Sequence, residues 1–418
     1  MSIVDSSHGI LLVLNAGSSS IKFAIYSANG DARDRLARGE IEGIGTTPRF
    51  HARYQDGAEI AGPVIGRKLS VHELMAALIG WIEQRWGKAT ILAAGHRVVL
   101  GGLEHTAPVL IDARVLERLR ALIPLAPVHQ PRNLEPIEAL AKLSPDMPQV
   151  ACFDTAFHRT MPELAQLYGL PHGLTEEGAR RYGFHGLSYE YIASVLPKFD
   201  EQGAKGRTVV AHLGSGASMC ALVGGRSVAT TMGFSPLSGL VMGTRPGELD
   251  PGLLLWLMQA KGMTPEEVET MLYHECGLKG VSGLSGDMRD LLASDDPRAK
   301  LAIDLFVYRI CWELGALASA AEGLDVLVFT GGIGENASSV REAVCRQSKW
   351  LGIDLDVAAN ARGDRRISAP SSSVTVWVIP TDEERMIAHH TLAILQKSGR
   401  RVADESGRNA ASRGRQAS

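Results

Sequence analysis

The sequence lacks any long apolar run and any excess of basic residues. No stretch approaches the roughly 20 consecutive apolar residues that cross a bilayer, and the first residues show no signal-peptide pattern. The formal net charge of −3 argues against a general nucleic-acid binder, because neutralising phosphates requires a basic surface. We therefore expect a cytoplasmic protein with neither nucleic acid nor a membrane as its partner.

Cysteine is also scarce. The five cysteines lie far apart, without a C-x-x-C pair, at Cys152, Cys220, Cys276, Cys311 and Cys345. This spacing disfavours a zinc site or a disulfide framework and fits a reducing cytoplasm. Most of them sit in apolar runs, which predicts buried and unreactive thiols.

Glycine, by contrast, is abundant, with 45 residues in a chain of 418. A chain of this length has room for two or three domains with substantial cores. Many glycines cluster at the ends of strand-like runs, in GSSS, GSGAS, MGTRPG, SGLSGD and GGIGEN. Loops that bring the backbone close to a ligand need such residues, so these turns are candidate ligand-binding turns.

The stretch LLVLNAGSSSIKFAIY, residues 11–26, has the composition of a phosphate-binding turn. It does not fit the Walker A pattern, which requires G-x-x-x-x-G-K-[ST] and a following helix. Ile21, Phe23 and Ile25 recur at every second residue, which is the period of a strand. The sequence therefore predicts a hairpin in which a polar turn joins two strands, with Lys22 just inside the second strand.

A second stretch, VVAHLGSGASMCALVGG at residues 209–225, repeats this arrangement. When Gly214 is aligned with Gly17, two apolar strands, two small polar turns and two further strands coincide. Two such hairpins at matched positions predict a duplicated domain, in which each half opens with its own phosphate-facing turn.

The rest of each half alternates strand-like and helix-like segments, which indicates α/β layers. ILAAGHRVVLGG and QVACFDTAF are typical of buried strands, and residues 115–122, 134–143, 251–261 and 301–321 have helical spacing. DVLVFTGGIGENA predicts a strand, a glycine turn and the start of a helix. In WVIPTDEERMIAHHTLAIL we expect Pro380 to end a strand and Thr381 or Asp382 to cap a helix. The polar residues 397–418 are expected to be disordered.

Two arginines stand among glycines and apolar residues, one in each half. Arg97 lies in GHRVV and Arg245 in GTRPGELDP. A lone arginine of this kind is more often part of an ion pair, but two in such surroundings favour binding of a carboxylate or a transferring phosphoryl group. Asp154 ends the strand VACFD, where open α/β sheets hold ligand groups. A helix N-cap is an equally good interpretation of Asp154 alone.

Two histidines and a pair of glutamates complete the candidates. His185 in RYGFHG and His129 in LAPVHQPRN lie beside glycine or proline in loops, where ligand-contacting histidines tend to sit. A lone histidine is usually structural, and the chain has 13. Glu383 and Glu384 are typical of the first turn of a helix, and a magnesium-linked role for one of them is the alternative.

The stretch GGIGENA has a rival interpretation. Gly332, Gly334 and Ala337 fit the dinucleotide pattern G-x-G-x-x-[G/A], with Asp354 further along the chain. Alone, this would suggest an NAD-dependent oxidoreductase. Two other phosphate-like turns precede it and nothing else in the chain supports NAD, so one adenine-nucleotide site built from all three turns is the more economical interpretation.

Taken together, these motifs resemble the acetate kinases, in the superfamily of acetate and sugar kinases, actin and heat-shock chaperone ATPases. The resemblance covers residues 11–395 and rests on NAGSSSIKF, GHRVV, LAPVHQPRN, FDTAFH, RRYGFHGLSYEYI, HLGSGAS, GLVMGTRPGELDPG, SGDMRD, FTGGIGEN and IPTDEE. It implies an α/β, duplicated ribonuclease-H-like (actin-like) two-domain fold with an interdomain cleft. The implied domains are 1–156 with 385–396, and 157–384 as the nucleotide-binding domain, followed by the tail.

The resemblance also implies a reaction and a set of site residues. The reaction is reversible, Mg²⁺- or Mn²⁺-dependent, direct in-line transfer of the γ-phosphoryl group of ATP to acetate, giving acetyl phosphate and ADP, in a homodimer. The implied catalytic residues are Asp154, Arg97, Arg245 and His185, and the metal ligands are Asn15 and Glu383. The implied ATP-binding residues are Ser18, Ser20, Lys22, His212, Leu213, Gly214, Ser215, Gly216, Asp287, Met288, Arg289, Gly332, Ile333, Gly334, Glu335 and Asn336. The implied acetate-binding residues are Arg97, Val99, Val128, His129, Phe184 and Pro236.

The sequence departs from the family pattern at three positions. Ser215 and Asp382 each stand where the family typically has asparagine, and Leu100 stands where it has histidine. Ser215 bears on nucleotide affinity or choice, and Asp382 adds a negative charge next to the presumed metal site.

Two other functions remain open. One methylene in an apolar pocket is worth only roughly 1–3 kcal/mol, so propionate, butyrate or another short-chain carboxylate could be the substrate. An actin-like or chaperone-like ATPase that binds a protein partner is the second alternative. Such a protein would have no need for both arginines and His185.

Overall fold

The computed structural model describes residues 9–17, 20–28, 34–63, 65, 67–86 and 91–398. Ser18 of the predicted phosphate turn and residues 399–418 of the predicted tail lie outside these ranges. The chain divides into two compact units, Met1–Ala156 with Asp382–Ser418, and Phe157–Thr381. The predicted domain limits assign residues 382–384 to the second domain and remain a prediction.

Each unit is built on one sheet. The strands of the first unit that the structure describes are β1 (Ile10–Ala16), β2 (Ser20–Ser27), β3 (Arg35–Glu42), β4 (Arg49–Tyr54), β5 (Ile91–Val98), β6 (Val109–Leu110) and β7 (Gln149–Phe153). Those of the second unit are β8 (Arg207–Leu213), β9 (Ala217–Val223), β10 (Arg226–Thr230), β11 (Val326–Thr330) and β12 (Thr375–Val378).

The α-helices of the described chain follow in sequence order. They are α1 (Val71–Trp86), α2 (Ala113–Ala121), α3 (Gln130–Leu143), α4 (Glu163–Gln166), α5 (His172–Glu176), α6 (Gly186–Val195), α7 (Glu201–Lys205), α8 (Pro251–Ala260), α9 (Pro265–His274), α10 (Gly277–Ser282), α11 (Met288–Leu292), α12 (Pro297–Ala320), α13 (Gly331–Asn336), α14 (Ser338–Gln347), α15 (Val357–Arg362) and α16 (Glu383–Lys397). Short 3₁₀ turns occur at Ile123–Leu125, Phe157–Thr160, Leu196–Lys198 and Lys349–Leu351. Helices α1–α3 and α16 belong to the first unit, and α4–α15 belong to the second.

The two sheets share one strand pattern. The first has the order β4-β3-β2-β1-β5-β7-β6 and the second the order β10-β9-β8-β11-β12. β1 pairs antiparallel with β2 and parallel with β5, and β8 pairs in the same way with β9 and β11. On its other side, β5 pairs in parallel with β7, and β11 pairs in parallel with β12. Both predicted hairpins are therefore confirmed, and the five shared strands confirm that the fold is duplicated.

The apolar runs of the sequence form the hydrophobic core of each unit. In the first unit, the side chains of Phe23, Phe50 and Trp81 meet at ring-centroid distances of 5.0–5.7 Å on one side of the sheet. In the second unit, Val210 of β8 and Val328 of β11 are fully buried and share a core cluster with Tyr189 of α6. These contacts remove apolar surface from water, which is the main driving force for folding.

The helix limits follow from capping groups. The Asp382 side chain accepts a hydrogen bond from Arg385 N, so Asp382 and not Thr381 is the N-cap of α16. Asp296 caps α12 and Pro297 occupies its first turn, so this helix begins before the predicted residue 301. The stretch GGIGEN forms α13 directly after β11, which confirms the predicted strand and helix start. The predicted turn is confined to Gly331, whose φ is 77°.

The predicted burial of most cysteines is confirmed. Cys152, Cys220 and Cys345 are buried, and Cys276 and Cys311 are partly buried. Burial raises the pKa of Cys220 and of Cys345 to about 12, which keeps both thiols protonated at neutral pH.

Across the described ranges, no helix combines the length and apolarity needed to cross a membrane.

Candidate active site

The first predicted phosphate turn joins β1 to β2. Asn15 and Lys22 are directly opposite each other in the register of these strands, so their side chains leave the same face of the sheet. Ser20 begins β2, and its carbonyl oxygen accepts a hydrogen bond of 2.8 Å from Gly17 N. The Lys22 side chain is exposed. This hairpin therefore presents an amide and an ammonium group side by side.

Arg97 of β5 is the centre of a polar group in the first unit. Its Nε and Nη2 donate to Asp154 Oδ1 and Oδ2 at 2.9 and 2.5 Å, and its Nη1 donates to Asn15 Oδ1 at 3.1 Å. Glu383 Oε2 lies 3.9 Å from Arg97 Nε. Burial disfavours the charged guanidinium, but the carboxylates of Asp154 and Glu383 outweigh it and raise the pKa of Arg97. Four predicted site residues are thus brought together.

The pairing of Asp154 with Arg97 decides between the two interpretations of that aspartate. Both carboxylate oxygens of Asp154 accept from the guanidinium, and none of its described contacts caps a helix. The Asp154 side chain is 1% exposed and the Arg97 side chain 19% exposed. A ligand approaching this group would therefore meet Arg97, and Asp154 orients the guanidinium from behind. Arg97 does form the ion pair expected of a lone arginine.

Glu383 and Asn15 are the two predicted metal ligands. Burial raises the pKa of Glu383, the Arg97 charge opposes this effect, and the Asp154 carboxylate adds to it. The described residues contain no cluster of three or more His, Cys, Asp or Glu side chains that could hold a metal. Mg²⁺ commonly uses one or two protein oxygen ligands, with phosphate and water oxygens completing its shell. The Asn15 amide oxygen and the Glu383 carboxylate fit that requirement.

Asp382, one of the departures from the family pattern, has its own partners. Its carboxylate accepts from Arg35 Nη1 at 3.3 Å, from Tyr26 Oη at 3.4 Å and from Arg385 N at 3.1 Å. The added negative charge is therefore matched by Arg35 and by the N-terminus of α16. Leu100, a second departure, is fully buried.

His185 of the second unit has a constrained position. It is the N-cap residue of α6, and its backbone is in the left-handed region with φ of 57°. Its Nδ1 lies 2.9 Å from Ser218 Oγ, and its ring stacks on the His212 ring at a centroid distance of 4.4 Å. His212 Nδ1 in turn lies 2.8 Å from Ser188 Oγ. A non-glycine residue held at positive φ is uncommon and marks a position that the surrounding structure over-determines.

Arg245 and His185 meet at the second predicted phosphate turn. A Cβ atom added to Gly216 would lie 2.8 Å from Arg245 Nη2 and 3.5 Å from His185 Nε2. Arg245 Nη1 also donates to the Pro236 carbonyl oxygen at 2.8 Å. Glycine at position 216 therefore lets two cationic or proton-bearing side chains approach the backbone of the turn. Pro236, predicted as an apolar wall, contributes a carbonyl oxygen here.

The other predicted acetate-binding residues are divided between the units. In the first unit, Val99 follows β5 and is buried, Val128 is half-buried, and His129 precedes α3. In the second unit, Phe184 is buried and precedes His185. Their grouping around one methyl group remains a prediction.

The second and third glycine turns are in contact within the second unit. A Cβ atom on Gly331 would lie 2.8 Å from the Leu213 carbonyl oxygen, and one on Gly214 would lie 3.9 Å from Gly332 N. The Glu335 carboxylate accepts from Gly331 N at 2.9 Å and from Thr381 N at 3.3 Å. Two of the predicted ATP-binding stretches, residues 212–216 and 332–336, thus form one surface.

The third predicted nucleotide stretch lies beside the same surface. Asp287 caps α11, and the Arg289 guanidinium, at 2.5 Å, lowers the pKa of Asp287 to about 2. Met288 is buried. A Cβ atom on Gly286 would lie 2.8 Å from the Gly243 carbonyl oxygen, and Gly243 N donates to the Ser215 carbonyl oxygen at 3.0 Å. Ser215, the third departure, is therefore joined through its backbone to the stretch that precedes Asp287.

Arg341 and Asn133 are among the buried polar residues that the sequence interpretation did not single out. Arg341 of α14 is 1% exposed, and its Nη1 donates to the carbonyl oxygens of Gly334 and Glu335, both at 2.9 Å. Asn133 of α3 is 3% exposed. Helical spacing was a usable signal, because Asn133 shares a face with Ile137 and Leu140, and Arg341 shares a face with Val344 and Cys345.

Comparisons with known proteins identify the family to which this sequence is similar. The model of the acetokinase family matches residues 10–389. An acetate kinase of Rhodopseudomonas palustris (strain ATCC BAA-98 / CGA009) is 57% identical over 386 residues, which span 91% of this chain and 97% of that protein.

Solved structures extend the similarity to the fold. A propionate kinase from Francisella tularensis matches with a TM-score of 0.85 at 37% identity, over 91% of this chain and 98% of its own. The Porphyromonas gingivalis acetate kinase matches with a TM-score of 0.82 at 39% identity, over 93% and 100%. These matches confirm the predicted α/β, actin-like two-domain fold.

Proposed function

The chain belongs to the acetokinase family, and on that premise we propose that it transfers the γ-phosphoryl group of ATP reversibly to acetate, giving acetyl phosphate and ADP. The observation that carries the proposal is the polar group of Arg97, Asp154, Asn15 and Glu383, in which the Arg97 guanidinium is partly exposed while the Asp154 carboxylate that holds it is buried. A guanidinium held from behind by a buried carboxylate is suited to a carboxylate or phosphoryl ligand.

The chemistry of acetate determines what these residues do. Acetate is ionised at neutral pH, so its attacking oxygen has no proton to lose and no general base is required. The barrier then depends on bringing two anions together and stabilising the charge that develops. Arg97 binds acetate and the transferring group, with Asp154 fixing its orientation. Arg245 and His185 supply further donors to the phosphoryl oxygens, and His129 lies near the acetate.

The nucleotide is assigned to the glycine turns. Ser18, Ser20 and Lys22 line the first phosphate turn, and residues 212–216 line the second. Asp287, Met288, Arg289 and residues 332–336 hold the rest of ATP. The contact between the Gly331 and Leu213 backbones supports a shared role for two of these stretches.

We propose Asn15 and Glu383 as the protein ligands of the Mg²⁺ or Mn²⁺ that accompanies ATP. The bound metal neutralises phosphate charge during transfer. Glu383→Gln is expected to raise the Mg²⁺ concentration that gives half-maximal activity by about tenfold, in line with the loss of a charged oxygen ligand. Glu384→Gln on the same helix turn is the control. Equal Mg²⁺ dependence in the two variants would contradict the assignment of Glu383.

The test of the function is ATP-dependent formation of acyl phosphate, trapped as the hydroxamate, with acetate, propionate and butyrate in parallel. We expect the highest kcat/KM with acetate. A higher value with propionate would leave the mechanism unchanged and make propionate the substrate. Propionate is the second candidate because the chain is similar to a propionate kinase. No hydroxamate from any acid, in folded protein that binds ATP, would overturn the kinase proposal in favour of an ATPase.

Direct transfer has a separate test. We expect no radioactive label on the protein after incubation with γ-labelled ATP in the absence of acetate, because the acetate oxygen attacks the phosphorus itself. A stable phosphorylated enzyme, formed and then discharged by acetate, would contradict in-line transfer.

We further propose that the protein is a cytoplasmic homodimer, as the family resemblance implies. Helix α8 supports this, because none of its residues is buried although its sequence PGLLLWLMQA is largely apolar. Leu255 and Trp256 are 52% and 47% exposed, and an apolar helix surface of this kind requires a partner. We assign a second copy of the chain to it.

Light scattering tests the dimer. The wild type is expected at about twice 44.8 kDa, and Trp256→Glu is expected at the monomer mass because a charge disrupts an apolar interface. Leu164→Glu, at another exposed apolar position, is the control and should remain dimeric. A monomeric wild type at micromolar concentration would refute the homodimer.

A further inference from the structure

Asn133 is a buried polar residue on the face of α3 that also buries Gln130 and several apolar side chains. It lies on α3 with 3% of its surface exposed, one and two turns before the fully buried Ile137 and Leu140. A buried amide is costly unless its donor and its acceptor are both satisfied. Asn133 satisfies both, because its Oδ1 accepts from Val99 N at 2.9 Å and its Nδ2 donates to the Ala16 carbonyl oxygen at 2.8 Å.

These two backbone atoms belong to the strand ends that carry the candidate site. Ala16 follows Asn15, and Val99 is two residues beyond Arg97. The parallel pairing of β1 with β5 ends at Leu14 and His96. Beyond that pair, the Asn133 side chain connects the two strands, with one hydrogen bond to each. The amide therefore replaces the backbone ladder at the point where Asn15 and Arg97 leave the sheet.

Asn15 and Arg97 are each paired in a backbone ladder with the outer neighbour of their strand, β2 and β7, and the Asn133 amide links the two strand ends to each other. Their side chains share a hydrogen bond of 3.1 Å, and Arg97 is held on its other edge by Asp154. Hydrogen bonds weaken steeply over a few tenths of an ångström and with misalignment. A small displacement of either strand end would change where the guanidinium points.

We propose that Asn133 is a positioning residue for phosphoryl transfer, which fixes the strand ends bearing Asn15, Arg97 and Val99 through a single side-chain amide. The inference rests on the proposed function. Arg97 and Val99 are assigned to acetate and Asn15 to the metal, whereas most of the proposed nucleotide contacts lie in the second unit. Loss of the amide is therefore expected to raise KM for acetate and the Mg²⁺ requirement more than KM for ATP.

The experiment compares steady-state kinetics of the full-length wild type with Asn133→Leu, which keeps the side-chain size and removes both hydrogen bonds. We expect kcat to fall about 10- to 100-fold, because misplacement by about 1 Å costs on the order of 10²-fold. KM for acetate should rise about tenfold while KM for ATP changes less than about twofold. An unfolded fraction would lower the apparent kcat but would leave both KM values unchanged.

The matched control is Leu140→Ala, two turns along the same face of α3. It removes fully buried apolar contacts and is expected to lower the melting temperature, with both KM values as in the wild type. If Asn133→Leu does not fold, Asn133→Ser takes its place, since a hydroxyl group is too short to reach both backbone atoms.

The outcomes separate this inference from the proposed function. A folded Asn133 variant with wild-type KM for acetate and wild-type kcat, beside an active wild type, would overturn the positioning role alone. A wild type that phosphorylates none of the three acids would overturn the proposed function, and this inference with it. A selective rise in KM for acetate that Leu140→Ala does not share supports the positioning role.

Discussion

At the scale of single residues, the sequence left two interpretations of Arg97, a member of an ion pair or a ligand-binding arginine, and the structure is compatible with both. Arg97 forms an ion pair with Asp154, a residue 57 positions away, and its side chain is still 19% exposed. The sequence placed Arg97 on an apolar strand and Asp154 at a strand end, but it did not pair them. Such pairing depends on the lateral order of β5 and β7, which local periodicity does not report.

Arg97→Lys tests the forked geometry of this group. A lysine has the same charge but cannot donate two parallel hydrogen bonds to Asp154 and a third to Asn15. We expect kcat/KM for acetate to fall about 10²- to 10³-fold, the usual cost of losing an oriented donor. Arg120→Lys, an exposed arginine paired with Glu138, should keep wild-type kinetics. Wild-type kcat/KM in Arg97→Lys would contradict the role of the fork.

His96, next to Arg97, predicts a dependence of stability on pH. It is 2% exposed, its Nε2 has no hydrogen-bond partner among the described residues, and burial lowers its pKa from 6.5 to about 4. The unfolded chain takes up a proton near pH 6.5 and the folded chain does not until about pH 4. The stabilising contribution is therefore complete above pH 6.5 and is lost as the pH falls towards 4.

Urea unfolding at pH 7 and pH 5 measures this contribution. Between these values, we expect the free energy of unfolding of the wild type to drop by about 2 kcal/mol more than that of His96→Gln. Equal drops in the two proteins would show that His96 is not held neutral in the folded state.

At the scale of elements, α13 is a helix whose length could not be predicted from local sequence. GGIGENA was predicted as a glycine turn and the start of a helix, and the helix already includes all three glycines, from Gly331 to Asn336. The reason is tertiary. The Glu335 side chain accepts from Gly331 N at one end of the helix, and Arg341 donates to the Gly334 and Glu335 carbonyls at the other. These bonds compensate for the low helix propensity of glycine.

Arg341→Met tests the support of α13. Arg341 also donates from Nε to Asn360 Oδ1 at 2.9 Å, so methionine leaves several buried acceptors unpaired. We expect a loss of stability of about 2–4 kcal/mol and a rise in KM for ATP, because α13 carries proposed nucleotide contacts.

The control is Arg346→Met on the same helix. Arg346 is 67% exposed and pairs with Glu342, and an exposed pair is worth about 0–1 kcal/mol. Equal melting temperatures and equal KM values for ATP in the two variants would refute the supporting role of Arg341.

Residue-level predictions succeeded where the signal was local. Alternation of Ile21, Phe23 and Ile25 predicted β2, and the start of α16 was predicted with Thr381 or Asp382 as its cap, of which Asp382 is the cap. The buried amide of Asn133 was missed because its partners, Val99 and Ala16, lie on other elements. Buried polar side chains form hydrogen bonds with backbone groups that are distant in the sequence, and the spacing of residues along the chain does not reveal such partners.

At the scale of the whole molecule, the duplication was visible from two hairpins. The matched turns at Gly17 and Gly214 predicted two related halves, and the common order of five strands confirms them. The two additional strands of the first sheet, β4 and β6, were not predicted. They lie at its edges, so nothing in the shared pattern requires them.

Phosphorus NMR of ATP mixed with acetate, Mg²⁺ and the purified protein tests the central claim most directly, because it identifies the acceptor of the phosphoryl group. The account predicts that the γ-phosphate signal of ATP is replaced by the signals of acetyl phosphate and ADP, and that omitting acetate leaves ATP intact. Release of inorganic phosphate without acetyl phosphate, at a rate independent of acetate, would contradict the account and identify the protein as an ATPase.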